Sequence, residues 1–192
     1  MTVPGLSTIR ADVGSAPGGG VAGEDERWFS AAIGLGASMG DRLSTLRLAV
    51  RALDARPDLH LIRSSRVLAT PPIGGVASQG FLNAVIRVET SLSPRALLDV
   101  LKEMERRLGR RPARSWADRV LDLDVLLFDR RIHADAVLRI PHPRLAERDF
   151  YLQSLAEAWP DAPNPWTGLP WAATLPPRRR YPVVATLPAA RP

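Results

Sequence analysis

From Trp28 onward, short apolar runs of strand length alternate with stretches whose apolar residues recur every three or four positions. WFSAAIGLG (28–36) reads as a strand entering a glycine-bearing turn, and the GLGASMG spacing (34–40) fits a tight strand-to-helix turn better than a dinucleotide fingerprint. Asp41 then offers an N-cap to a helix with Leu43, Leu46, Val50 and Leu53 on one stripe, ended near Pro57. HLIRSSRVLA (60–69) reads as a second strand, TPPIGGVASQG (70–80) as a loop broken by proline and glycine, and FLNAVIRVET (81–90) as a third strand. Ser93 and Pro94 form a cap and first-turn pair for a helix with Leu97, Leu101, Met104 and Leu108 inward, closed by Gly109. VLDLDVLLF (120–128) is the fourth strand, followed by an extended stretch around Leu138 and Ile140 and a helix from about Pro143 to Ala158. The order βαββαβ predicts an α+β fold: a ferredoxin-like core with C-terminal helical and irregular additions. Two helices would cover one face of a mainly antiparallel sheet, leaving the other free for a ligand.

The ends of the chain have a different composition. Residues 1–27 are rich in Gly, Ala and Pro, as in a disordered leader. Residues 161–192 form a proline-rich tail with too few backbone donors for regular structure, expected to wrap the domain or stay mobile. The domain proper is placed at 28–160. Cysteine is absent, which excludes disulfide and thiolate chemistry, and His60, His133 and His142 lack zinc-ligand spacing. No apolar run approaches the roughly 20 residues that span a bilayer, and no secretory signal pattern opens the chain, so a cytoplasmic location without membrane contact is expected.

The fourth strand carries the first candidate chemistry. Alternation puts Val120, Asp122, Asp124, Leu126 and Phe128 on one face and Leu121, Leu123, Val125 and Leu127 on the other. Two carboxylates sharing a face suit a bound cation. Magnesium fits, because it takes one or two carboxylates and completes its shell with water and phosphate oxygens. By itself the pair is a weak signal, and a salt-bridged strand edge is its alternative reading. The formal charge of +6 is almost wholly arginine, Lys102 being the only lysine. RRLGRRPARSWADR (106–119) delivers forked guanidinium donors beside the aspartates, the pairing that a metal-bound triphosphate requires, although a charge run alone is also a solvated loop or a nucleic-acid patch.

TPPIG (70–74), FLNAV (81–85), ETSLSP (89–94), the block from Trp116 to Phe128, and PHPRLAERDF (141–150) together resemble the 6-hydroxymethyl-7,8-dihydropterin pyrophosphokinase family, from about Ala31 to Pro160. The resemblance implies transfer of pyrophosphate from ATP to a pterin alcohol, with ATP as co-substrate and two magnesium ions held by Asp122 and Asp124. It implies a pterin pocket lined by Thr70, Pro71, Pro72, Phe81 and Asn83, with Phe150 stacked on the heterocycle. It implies ATP or phosphate contacts from Glu105, Arg110, Trp116, Arg119, His142 and Arg148, Arg110 and Arg119 also serving catalysis. The partners implied are small molecules rather than nucleic acid, and a monomer or weak dimer is expected. An amide such as Asn83 offers both donor and acceptor to an aminopyrimidinone edge; read without the family, it is also a strand-end residue, His142 a structural histidine and Phe150 a core residue.

This chain departs from the family pattern in its arginine loop. Pro112 and Ser115 stand where arginines are usual, and Ala117-Asp118 where Gly-Pro is usual. Two phosphate ligands are thus missing, each worth about 1.5–3 kcal/mol as a charged hydrogen bond, so weaker ATP binding is expected if nothing replaces them. A paralogue acting on a related pterin, or a catalytically silent one, is the alternative. An RNA-binding ferredoxin-like module is disfavoured, since the exposed face offers carboxylates rather than a stacking platform.

Overall fold

The computed structural model describes residues 27–71, 80–109 and 119–190. The expected leader, save its last residue, and the Pro112 and Ser115 substitutions lie outside them. Eight strands and four helices follow in the order β1 (Phe29–Ala37), α1 (Arg42–Asp54), β2 (Leu59–Ser64), β3 (Arg66–Thr70), β4 (Phe81–Thr90), α2 (Pro94–Arg107), β5 (Asp122–Phe128), β6 (His133–Ala134), β7 (Arg139–Ile140), α3 (Asp149–Ala158), α4 (Trp171–Thr174) and β8 (Val183–Thr186). The main sheet runs β5-β1-β4-β3-β8, with β2 also on β4, and every pair is antiparallel. Taken without β8, and with β2 and β3 as one interrupted strand, this is the ferredoxin-like arrangement. Among the described residues, no helix is long and apolar enough to cross a membrane.

Local chemistry sets the element ends. Asp41 accepts the Ser44 amide at 3.1 Å and Ser93 accepts the Ala96 amide at 3.2 Å, capping α1 and α2. Gly109 follows α2 at φ 94°, a conformation that an L side chain resists. The expected strand 60–69 is broken at Ser65. There Ser65 Oγ accepts the Val85 amide at 2.9 Å, and its own amide donates to the Val85 carbonyl at 2.8 Å, so a side chain fills one rung of the ladder.

α1 and α2 bury Leu46, Val50, Leu53, Leu97 and Leu101 against Ile33, Leu35, Ile86 and Leu123 on one face of the sheet. The second face is not open as expected. α3 lies across part of it, packing Phe150, Tyr151 and Leu155 on Ala32, Leu68 and Val85. That covering removes the broad platform an RNA-binding reading needs, and leaves a cavity beside α3 rather than a free surface. The helix itself begins at Asp149, after turns at 143–147, and not at Pro143.

Two further corrections concern the strands. In the β1–β5 ladder Ile33 faces Val125 and Ala32 faces Leu127, so Leu126 is an extra residue at a bulge. An extra residue reverses the alternation beyond it: Leu127 joins the core under α3, and Phe128 joins the core under α1 and α2. The proline-rich tail is also more regular than its composition predicts. β8 pairs Arg66–Leu68 of β3, and α4 seats Trp171 in the second core. Proline is tolerated because β8 is an edge strand, and Pro182 serves as an acceptor, its carbonyl receiving the Ala69 amide at 2.9 Å.

Candidate active site

β1 runs through the centre of the site without side chains where space is needed. Gly34 is paired with Asp124, and Gly36 with both Asp122 and Asn83. A Cβ on Gly36 would lie 3.0 Å from Asn83 Oδ1, and one on Gly34 would lie 3.0 Å from Tyr151 Cε1. These glycines therefore sit inside the strand, not in the turn expected for GLGASMG. The turn proper is at Ser38–Asp41, with Gly40 at φ 63°.

The cavity has a volume of about 280 Å³ and is lined on one side by Thr70, Phe81, Asn83 and Phe150, on the other by Arg119, Asp122, Asp124, His142 and Arg148. Asn83 is buried and donates to Thr70 Oγ1 at 2.8 Å, which fixes its amide plane. Arg119 donates to Asp122 Oδ1 at 2.6 Å. Ser38 holds Arg119 by its backbone, its amide donating to the Arg119 carbonyl at 2.9 Å and its Oγ accepting the Arg119 amide at 2.9 Å.

Asp124 is oriented by a residue that the sequence reading missed. Tyr151 donates its hydroxyl to Asp124 Oδ2 at 2.9 Å and accepts from Arg148 Nη1 at 3.1 Å. Burial, reinforced by the Asp124 charge, pushes the Tyr151 phenol well above its ordinary pKa, so it stays a donor. His142 Nδ1 accepts the Arg144 amide at 3.2 Å, and Nε2 lies 3.9 Å from Asp124 Oδ2. Burial holds the imidazole below its ordinary pKa, with Asp124 opposing and Arg148 and Arg144 adding to the shift. The ring is therefore neutral at pH 7, with its proton assigned to Nε2 by the hydrogen bond at Nδ1. Arg144 and Pro143 also line the cavity, within a PHPR run that gave no separate signal for either.

Glu105, expected among the ATP contacts, is not among the residues that line either cavity. Its side chain is 1% exposed, and Oε1 accepts the Leu123 amide at 2.6 Å and Lys102 Nζ at 2.8 Å. Lys102 Nζ also donates to the Leu123 carbonyl at 2.7 Å. β5 is a sheet edge, so its outward amide and carbonyl at Leu123 are capped by α2 side chains instead of by another strand. Leu123 separates the two aspartates. Glu105→Ala should cost about 1–3 kcal/mol by stranding a buried amide, lowering the thermal midpoint by roughly 2–12 °C, while Glu105→Gln, which keeps an acceptor, should lose less. Equal midpoints for the alanine variant and the parent in calorimetry would contradict that role. Pro71 is exposed and does not line the cavity, and Pro72, Arg110 and Trp116 lie outside the described residues.

The donor set fits magnesium. Asp122 and Asp124 offer hard carboxylate oxygens on one wall, and among the described residues no group of three or more His, Cys, Asp or Glu forms a closed cage. Two carboxylates beside an open cavity suit a cation that keeps water and recruits phosphate oxygens. A second cavity, of about 420 Å³, lies between α2 and the β6–β7 hairpin, lined by Leu98, Lys102, Val125 and residues 135–139. The two cavities share Asp124, His142 and Pro143.

Residues 32–160 match the family model described as 7,8-dihydro-6-hydroxymethylpterin-pyrophosphokinase (HPPK). The chain is 40% identical over 129 residues to the 2-amino-4-hydroxy-6-hydroxymethyldihydropteridine pyrophosphokinase of Methylorubrum extorquens, covering 67% of this chain and 82% of the relative. It is 39% identical over 125 residues to the Bacillus subtilis protein of the same name, covering 65% and 75%. Among solved structures, an HPPK-DHPS in complex with substrates aligns at TM-score 0.60 and 14% identity, over 77% of this chain and 42% of that one. The Plasmodium falciparum wild-type HPPK-DHPS with pterin and p-hydroxybenzoate aligns at 0.58 and 15%, over 81% and 42%. At that identity the structures speak for the fold alone, and this chain spans about two fifths of their length. The family match covers most of the chain, from within β1 to the end of α3, and on that ground the chain belongs to the 7,8-dihydro-6-hydroxymethylpterin-pyrophosphokinase family.

Proposed function

We propose that the smaller cavity takes the pterin alcohol and the larger one the nucleotide, with Asp124 at their junction. The protein is a 2-amino-4-hydroxy-6-hydroxymethyldihydropteridine diphosphokinase: it transfers pyrophosphate from ATP to 6-hydroxymethyl-7,8-dihydropterin, giving AMP and the pterin diphosphate in folate biosynthesis. The observation that carries the assignment of subsites is that two cavities of different lining meet at one carboxylate. A flat heterocycle is suited by Phe150, Phe81 and a fixed amide, Asn83. The other cavity is bounded by Leu98, Val125 and Lys102.

Asp122 and Asp124 would hold two magnesium ions, which when bound neutralise phosphate charge and draw the two substrates together. The residues of the chain supply the rest. Tyr151 and Arg119 fix the two carboxylates, and His142 presents a neutral N–H donor without a change of charge. Arg119, Arg144 and Arg148 bring positive charge to the cavity wall, where negative charge develops as the pterin oxygen attacks the β-phosphorus and AMP leaves. No covalent enzyme intermediate is required. Arg144 and Arg148 also offset, from outside the loop, some of the charge missing at positions 112 and 115. A cytoplasmic monomer or weak dimer acting on small molecules, without nucleic-acid or membrane partners, completes the reading.

The test is metal and substrate dependence. AMP should form only when ATP, magnesium and 6-hydroxymethyl-7,8-dihydropterin are all present, and should cease when EDTA removes the magnesium. AMP formation undiminished by EDTA would sink the metal assignment. AMP appearing only with a different pterin alcohol would identify a paralogue, and its absence with every pterin a silent one.

A further inference from the structure

The family match ends at residue 160, but the cavity is supported from beyond it. The two carboxylate oxygens of Asp149, the first residue of α3, accept the backbone amides of Arg178 and Arg179 at 3.0 and 3.1 Å. One turn later Gln153 binds both backbone groups of Tyr181: its Oε1 accepts the Tyr181 amide at 2.9 Å, and its Nε2 donates to the Tyr181 carbonyl at 3.3 Å. Ala69, beside Thr70, donates to the Pro182 carbonyl at 2.9 Å, and β8 then continues along β3. The segment 178–186 thus stitches β3 to α3, and each carries a residue of the cavity wall, Thr70 and Phe150.

Between these anchors the Tyr181 ring meets Phe150 edge-on, at 6.2 Å between centroids and 82° between planes. On another side Phe150 contacts Tyr151 at 4.6 Å. The Arg179 guanidinium lies 5.6 Å over the Tyr181 ring, and the backbone bonds leave that ring little freedom. We propose that Tyr181 is a positioning residue for the heterocycle subsite: the 178–186 segment fixes the Phe150 ring and the Thr70 edge against which the pterin alcohol lies. Its hydrogen bonds run to α3, β3 and α1, through Asp149, Gln153, Ala69 and Arg47. The aspartates are on β5, the nucleotide cavity lies against α2, and Tyr151, next to Phe150, is tied to Asp124 and Arg148 by its own hydroxyl, so the effect should be confined to the pterin side. A ring held in place before binding loses less freedom when the substrate arrives.

This inference rests on the assignment of the smaller cavity to the pterin, and two readouts on the full chain separate them. In steady-state assays Tyr181→Ala should raise the KM for the pterin alcohol by about three- to tenfold, the loss expected of one aromatic contact, with kcat and the KM for ATP within about twofold of the parent. Tyr181→Phe, which keeps the ring, should behave as the parent. In hydrogen exchange followed by mass spectrometry, Tyr181→Ala should speed exchange over 149–153 and leave 122–128 unchanged, whatever the protein catalyses. Both KM values rising together, an unchanged pterin KM, or exchange at 149–153 equal to the parent would each overturn the proposal. A parent that forms no AMP would defeat the functional assignment, and the exchange result would still decide the role of Tyr181.

Discussion

Asp124→Asn should lower AMP formation by about three orders of magnitude or more while moving the thermal midpoint by no more than roughly 2 °C. The side chain it introduces has the same shape, and its carbonyl oxygen can still accept the Tyr151 hydroxyl that now meets Asp124 Oδ2 at 2.9 Å. What is removed is one negative charge, at the single carboxylate that borders both cavities among the described residues. A cation at that point loses half of its protein carboxylates, and with it the charge that would hold the two substrates together. Stability should change little, because Asp124 faces a cavity and the strand beneath it is held through Leu123 by Glu105 and Lys102. Steady-state rates beside calorimetry make the distinction. Activity within tenfold of the parent would remove Asp124 from the chemistry.

Gly36→Val should raise the KM for the pterin alcohol by about tenfold to a hundredfold, equivalent to overpacking of roughly 1–3 kcal/mol. The first added carbon already lies 3.0 Å from Asn83 Oδ1 and 3.9 Å from Asp122 Cβ. Its γ-methyls must then displace the Asn83 amide, breaking the bond to Thr70, or occupy the space of the substrate. Gly36→Ala should fall between the parent and valine, since a shift of a few tenths of an ångström accommodates it. The KM for ATP should stay within about threefold, because Gly36 does not line the nucleotide cavity. Equal losses for both substrates would mean that the strand itself had been distorted.

The elements that follow a regular period were legible. Helix stripes and caps placed α1 and α2, and alternation through VLDLD placed both aspartates on one face, where they line the cavity. Legibility ended where one residue changed the period. The bulge at Leu126 reverses Leu127 and Phe128, and nothing in an all-apolar run marks which residue is extra. The glycines of GLG carried a signal that was read for the wrong reason, as a turn instead of space for Asn83 and Tyr151. Tyr151 follows Phe150 in a helical segment, and only the packing of α3 on β5 shows its hydroxyl reaching Asp124. Glu105 matched a family position, yet the edge exposure of β5 draws it into the backbone at Leu123. Composition likewise concealed β8: proline-rich sequence argues against a strand unless an edge is available, and β3 provides one.

The central claim is that the pterin oxygen attacks the β-phosphorus of ATP, and the phosphorus spectrum of the products tests it most directly. With ATP, magnesium and 6-hydroxymethyl-7,8-dihydropterin, the resonances should resolve into AMP and one diphosphate ester, in equal amounts. ADP with a pterin monophosphate, or AMP with free pyrophosphate and unaltered pterin, would contradict it.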